Sequence, residues 1–346
     1  MRAGRRALAQ ALAALCAAGA AVVLALLLLD RWFHAPLASG AAPLPIEVTP
    51  GESLARVADQ LATLGILDHP RLYVLVARCQ GLAGRIRSGE YQIQPGTSPA
   101  TLLEQLVEGR VLLHAVTLVD GWTVAAALAA LRENPVLSHG VPGAADPALM
   151  ERLGSHGVAA EGQFFPDTYL VAKGTSDYEI LRLAHARLQQ QLAGAWAARR
   201  VDLPLATPYE LLILASIVEK ETAAADERAH IAAVFVNRLR RGMRLQTDPT
   251  VIYGLAEGYD GHIHHRDLVT DTPYNTYTRD GLPPTPIALV GAAALQAAAQ
   301  PVDSTDLYFV ATGKDDGRHQ FSSTLEAHNA AVTRYLEQRR GGGRSR

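Results

Sequence analysis

Two acids, Glu219 and Glu221, flank Lys220 at the end of an apolar run, Leu211–Val218. On a helical wheel of Leu211–Thr222 at about 100° per residue, the apolar residues sum to a direction near Val218 and Leu214. Glu221 falls roughly 50° from that direction, Glu219 about 105° and Lys220 about 150°. Lys220 is therefore expected in solvent, Glu219 at the boundary and Glu221 on the buried shoulder. Burial disfavours a charged carboxylate and raises its pKa. Moving a Glu from about 4.3 to about 6 takes only ~2.3 kcal/mol and makes a general acid for neutral pH. By this geometry Glu221 is the better acid candidate. The alternative is a pair of surface acids on a fraying helix end.

Other chemistry finds little support. Gly261–His265 holds three histidines, but no helix fixes their spacing and acids nearby are few, so no metal or other cofactor is expected. There is no nucleophile elbow, phosphate loop or dinucleotide fingerprint. Ser216 has no evident His base. A formal charge of −2 gives no basic excess for nucleic acid. Cys16 and Cys79 lie far apart, Cys16 in an apolar run, so no disulfide is expected. What remains is a buried acid beside two polar loops, Gln246–Thr250 and Asp271–Pro286, rich in Tyr, Asn, Thr and Pro. That surface suits carbohydrate, because Tyr faces stack on sugar rings and Asn, Gln and Asp bind hydroxyls. Glycoside cleavage requires a protonated carboxyl at the leaving oxygen.

The elements that must position these residues are legible in outline. Thr207-Pro208-Tyr209-Glu210 is a helix start, with Thr as cap, Pro at the first position and Glu reaching back. This helix should run to about Ala223. Asp226 should then cap a second helix, Glu227–Arg241, stopped by Gly242. A long helical pattern covers 178–200, an apolar helix Ala288–Ala299, and a hairpin Leu307–Ala311 with His319–Ser322. Gly162–Tyr169 is dense in aromatics and reads as either a substrate wall or a core corner.

Upstream, one signature recurs three times: Gly51-Glu52-Ser53 leading to Leu61, Gly96-Thr97-Ser98 to Leu106, and Gly121-Trp122-Thr123 to Leu131. Each is a turn with a Ser/Thr cap opening an amphipathic helix, and each follows an alternating, strand-like segment. The first two units make a small α/β module over 45–112. At the N-terminus Arg2, Arg5 and Arg6 precede the apolar run Ala7–Leu29, which as a helix spans roughly 34 Å, enough to cross a bilayer. Asp30-Arg31-Trp32-Phe33 supplies charge and an aromatic belt. The expected division of the 346 residues is a cytoplasmic tail 1–6, a transmembrane helix 7–29, a linker 30–44, the module, a main domain 113–340 and a disordered tail 341–346. A cleaved signal peptide is the rival for the N-terminus.

Several of these segments together resemble the MltG (YceG-like) family of endolytic murein transglycosylases. The resemblance lies in Ala215–Thr222, Val236–Leu239, Met243–Tyr253, Tyr274–Tyr277, Gly281–Pro284, Leu307–Ala311 and His328-Asn329. It implies an α+β chain: an N-terminal transmembrane helix, a LysM-like module, and a mixed α/β catalytic domain with a helix-borne catalytic Glu, Glu221 here. It implies a single-pass protein of the bacterial inner membrane with its catalytic domain in the periplasm. The implied substrate is peptidoglycan glycan strands and the implied partners are peptidoglycan synthases, the penicillin-binding proteins. Glu221 would act as acid and then base, without a second carboxylate. Gln246, Asp248, Tyr253, Tyr274, Asn275 and Tyr277 are candidates for the sugar cleft, and Glu219 for a structural acid paired with an Arg. One departure is Thr285, where the family often has Gly, which leaves that turn's backbone angle open. Two alternatives stay open: a lysozyme-type hydrolase with Asp248 as partner carboxylate, and a non-catalytic scaffold that binds peptidoglycan.

Overall fold

The structure, a computed structural model, describes residues 2–342 apart from 39, 142, 144–146, 223 and 315. It is a mixture of helices and short strands that divides into two compact units. One comprises 1–114 with 171–174, and the other 115–170 with 175–346.

The first unit begins with helix α1, Arg2–His34. Its segment Gln10–His34 is 25 residues long and apolar enough to cross a membrane. β1 (Leu44–Val48), α2 (Leu54–Thr63), α3 (Pro70–Cys79), β2 (Gly89–Ile93) and α4 (Pro99–Glu108) follow. β1 and β2 pair antiparallel, Leu44 opposite Ile93 and Val48 opposite Gly89. The recurring signature has the meaning expected of it. Ser53 and Ser98 cap α2 and α4 by accepting the N–H groups of Arg56 and Thr101. Leu61 and Leu106, at the ends of these signatures, are fully buried. The N-terminal junction differs from expectation. α1 runs on to His34, and Phe33 leaves the expected aromatic belt for the unit's core, where its ring lies 6.4 Å from that of Tyr73. Leu37 N–H donates to Thr97 O at 2.8 Å, so the segment after α1 is bonded to the unit rather than hanging as a tether. A Phe ring gains more from burial against Tyr73 than from a half-wet interface.

The second unit takes up β3 (Leu113–Thr117) part-way along, then α5 (Val124–Glu133), α6 (Pro147–Arg152), β4 (Thr168–Ala172), α7 (Asp177–Ala197), α8 (Pro208–Glu221) and α9 (Arg228–Arg240). α10 (Asp248–Leu255), α11 (His265–Val269), α12 (Ala292–Ala299), β5 (Tyr308–Ala311), β6 (His319–Ser322) and α13 (Leu325–Gly342) complete it. The third signature opens α5, where Thr123 accepts from Ala126 N–H. β5 and β6 form the expected hairpin, Tyr308 opposite Ser322. The aromatic segment is a core corner, because Phe164, Phe165 and Tyr169 are all buried. α13 extends through Gly342, and 343–346 lie outside the described residues.

α8 is the centre of this unit. Thr207 caps it through Glu210 N–H, Pro208 occupies its first turn, and the Glu210 carboxylate reaches back to Ala206 N–H at 2.6 Å. Every residue from Leu211 to Val218 is buried, enclosed by α7, α9, α10 and α12. Each large aliphatic side chain so buried contributes about 1.5–3 kcal/mol. Ser216, the one hydroxyl in the run, is satisfied inside: it donates to Ile213 O and accepts Ile287 N–H. The helix ends at Glu221 because Thr222 turns extended, φ −147° and ψ 137°. The following helix starts at Arg228 without the expected Asp226 cap, since Asp226 pairs instead with Arg318 at 2.8 Å.

Candidate active site

The last turn of α8 sends its three charged residues in different directions. Lys220 is exposed and donates to Gly121 O at 3.2 Å. The Glu219 side chain is only 4% exposed, deeper than the wheel placed it, but it is partnered. It accepts Gly291 N–H at 3.0 Å and lies 3.6 Å from the Arg228 guanidinium. Burial pushes its carboxyl above the usual range, helped by Asp120 and opposed by the Gly291 N–H and by Arg228. Glu219 is a structural acid tying the end of α8 to the start of α12.

Glu221 is different in access and partners. It is half-buried and lines a cavity of about 500 Å³. Thr247 Oγ1 donates to its Oε1. The carboxyl is pushed up to about 7: burial raises it most and Asp248 adds to the rise, while the Thr247 hydrogen bond and His319 oppose it. Its place at the helix C-terminus, where the macrodipole is negative, acts in the same direction as burial. The result is a carboxyl that holds a proton near neutrality on the wall of an accessible cavity, which suits a general acid.

The loop that brings Thr247 to Glu221 is built with care. Gln246 has φ 51°, left-handed for a non-glycine residue. That conformation costs of order 1–3 kcal/mol and persists only where surroundings enforce it. Here Gln246 N–H donates to Thr276 O at 3.1 Å and Thr247 N–H to Thr276 Oγ1 at 3.1 Å. Thr250 and Thr276 share a hydroxyl hydrogen bond of 2.9 Å, and Thr250 also donates to Thr247 O. Beneath them Arg238, only 8% exposed, spreads its guanidinium over Leu307 O, Arg244 O, Leu245 O and Gln246 Oε1. Arg238 thereby joins α9 to the loop on one side and to the start of β5 on the other.

Of the six residues expected to hold sugar, the structure brings three into the cavity of Glu221: Gln246, Asp248 and Tyr277. Tyr277 donates to Asp248 Oδ1 at 2.6 Å, and burial with that acceptor holds its phenol well above the usual range. Tyr253 and Tyr274 sit elsewhere, edge to face at 4.8 Å. Tyr253 donates to Glu161, a half-buried acid that sequence reasoning did not single out, and Tyr274 bonds the Thr285 hydroxyl. Thr285 is not among the residues with positive φ, so the turn accepts a side chain where the family often has Gly. Asn275 is fully buried and donates to the carbonyls of Asp267, Leu268 and Thr270, which makes it a turn builder. The remaining wall comes from β5, β6 and α13, including Tyr308, His319, His328 and Asn329. Thr247, Arg238, Tyr308, His328 and Asn329 all fall inside the quoted motifs, yet nothing local marks their roles.

Thr247→Val tests the loop, because it removes the hydroxyl and leaves the backbone bonds of residue 247 intact. The charged form of Glu221 loses a stabilising bond, so its pKa should rise above about 7. The fall in activity with pH should move upward by about one unit, with a rate loss of about tenfold, read from a pH–rate profile.

Residues 46–334 match the profile of the YceG-like family. The chain is 27% identical over 311 residues to the endolytic murein transglycosylase of Bacillus subtilis (strain 168), covering 84% of each chain. It is 26% identical over 325 residues to the endolytic murein transglycosylase of Streptococcus pneumoniae serotype 2 (strain D39 / NCTC 7466), covering 84% of this chain and 58% of that longer relative. The 2.6 Å crystal structure of a yceG-like protein from Listeria monocytogenes aligns over 84% of this chain and 99% of its own, at 25% identity and a TM-score of 0.49.

Proposed function

The chain belongs to the YceG-like family, and from that premise we propose that it is a peptidoglycan lytic transglycosylase that cuts within glycan strands. The observation that carries this reading is the Glu221 carboxyl at the wall of an open cavity, pushed up to about 7 by burial. The murein transglycosylase names of the relatives support it.

In this reading Glu221 gives its proton to the oxygen bridging N-acetylmuramic acid to N-acetylglucosamine as the C1–O4 bond breaks. The carboxylate left behind takes the proton of the muramyl 6-hydroxyl as O6 closes onto C1. A 1,6-anhydro end forms and Glu221 is regenerated. No water enters, and the intramolecular attack supplies effective molarity. Gln246, Asp248 and Tyr277 line the sugar path, while Thr247 orients the acid. α1 anchors the chain in the inner membrane with the remainder in the periplasm. Residues 45–112 serve as the LysM-like module, and cutting nascent strands beside the synthases would end their elongation.

The mass of the product tests the chemistry. Purified glycan strands incubated with the protein should yield ends lighter by one water than those made by a hydrolase. Ends of the hydrolysed mass would instead favour a lysozyme-type reaction, for which Asp248 is the candidate partner carboxylate.

A further inference from the structure

A carboxylate–imidazole pair on the hairpin side of the cavity is not used by the reaction as written above. Glu227 immediately precedes α9, beside the Asp226 expected as its cap, and makes no capping bond. Its carboxylate, 9% exposed, turns instead to β6. It accepts the backbone N–H of His319 on both oxygens, at 3.1 and 3.2 Å, and takes a third hydrogen bond from His319 Nδ1 at 2.9 Å. Phe309 packs edge-on against the imidazole at 5.3 Å. With Nδ1–H committed to Glu227, the ring is fixed in position beside the cavity. His319 lines the same cavity as Glu221.

We propose that His319, held by Glu227, is the positioning residue that offsets the negative charge appearing on Glu221 between its two proton transfers. The proposal rests on Glu221 being the proton donor. Once Glu221 has given its proton to the bridging oxygen, the cavity holds two anions, Glu221 and Asp248, in protein surroundings where like charges repel strongly. Asp248 is already accepting from Tyr277. Arg238, from α9, is committed to its four oxygen acceptors. His328, from α13, is stacked on Tyr308 of β5, and burial and Arg238 hold its pKa below the usual imidazole value. Of the basic side chains that line the cavity among the described residues, that leaves the imidazole of His319 as the one placed to act on Glu221. Its charge indeed favours the ionised form of that carboxyl. Glu227 supplies the second half of the device: it anchors His319 through three hydrogen bonds, so the imidazole is already in place when the proton leaves. No net proton is gained or lost, since the proton taken from the 6-hydroxyl restores Glu221.

The test is the pH dependence of strand cleavage by the full chain and its His319→Gln variant. Gln retains an N–H for Glu227 but no titratable charge. The pH at which cleavage falls off should rise in the variant by about one unit, because the Glu221 carboxylate has lost a stabilising cation. An unchanged midpoint, whatever the rate at the plateau, would overturn the proposal. If the variant cleaves too slowly to profile, the same ionisation is read without activity. The stability difference between each protein and its own Glu221→Gln partner is followed across pH, and its midpoint should shift upward in the His319→Gln pair. Coincident midpoints there overturn the proposal equally. Failure of the underlying reading looks different, because Glu221→Gln would then cleave strands at the wild-type rate.

Discussion

Glu221→Gln is expected to lower strand cleavage about 100- to 10 000-fold, the range over which general acid catalysis contributes, and at the same time to make the protein more stable at alkaline pH. Gln keeps the shape and still accepts the Thr247 hydroxyl, but has no proton to give. The stability effect follows from linkage. The folded carboxyl titrates at about 7 against an ordinary 4.5. The folded state therefore binds more protons than the unfolded chain between these values, and stability falls as pH rises through them. Above about pH 7 the whole cost is present, of order 3 kcal/mol. Gln removes it. Thermal denaturation should show the variant clearly more stable than wild type at pH 8 and indistinguishable from it at pH 4. A variant that cleaves normally would end the assignment of Glu221. One that is inactive but shows no stability gain at pH 8 would place the ordinary carboxylate pKa, and an ordinary environment, at this position.

Arg238→Leu is expected to have the largest effect on folding. The guanidinium serves three main-chain carbonyls and the Gln246 amide; the bonds to Leu307 O and Leu245 O are buried, those to Arg244 O and Gln246 Oε1 partly so. Leucine fills much of the space but donates nothing. Each carbonyl left without a partner costs about 1–3 kcal/mol. Removing a buried charge offsets part of that loss. A net destabilisation of about 3 kcal/mol is expected, lowering Tm by roughly 6–12 °C for a unit of this size. Cleavage should fall as well, even below the melting range, because the Gln246–Thr247 loop loses the support that enforces its left-handed residue. Arg238→Lys, with one point of donation in place of a fork, should fall between. A Tm within 2 °C of wild type, measured by calorimetry on the leucine variant, would show that water or relaxed backbone takes over the four bonds.

Both effects depend on groups that meet from distant parts of the chain, and this separates what was legible in the sequence from what was not. Local signals were readable because they act within about four residues. Thr207, Ser53, Ser98 and Thr123 cap their helices as their spacing predicts. The hairpin β5–β6 lies where the alternation put it. The apolar N-terminal run forms one long helix. The wheel of α8, by contrast, ordered the two acids for an incomplete reason. It presumes one wet side, whereas the run Leu211–Val218 is buried all round and the Glu219 side chain lies deeper than the wheel placed it. Partners and access to the cavity distinguish them.

The amino-acid sequence by itself determined the capped helices, the hairpin, the membrane-length helix and the presence of an acid at the end of an apolar one. Tertiary structure alone decided which acid faces an open cavity. It satisfied Glu219 with Gly291 and Arg228, gave Glu221 a single hydroxyl, buried Asn275 in a turn, and made Glu227 an anchor for His319. The physical reason is chain separation. Thr247 reaches Glu221 across 26 residues, Arg238 reaches Leu307 across 69, and Glu227 reaches His319 across 92. Only the packing of the helices around α8 sets such distances, and with them the environment that keeps a proton on Glu221.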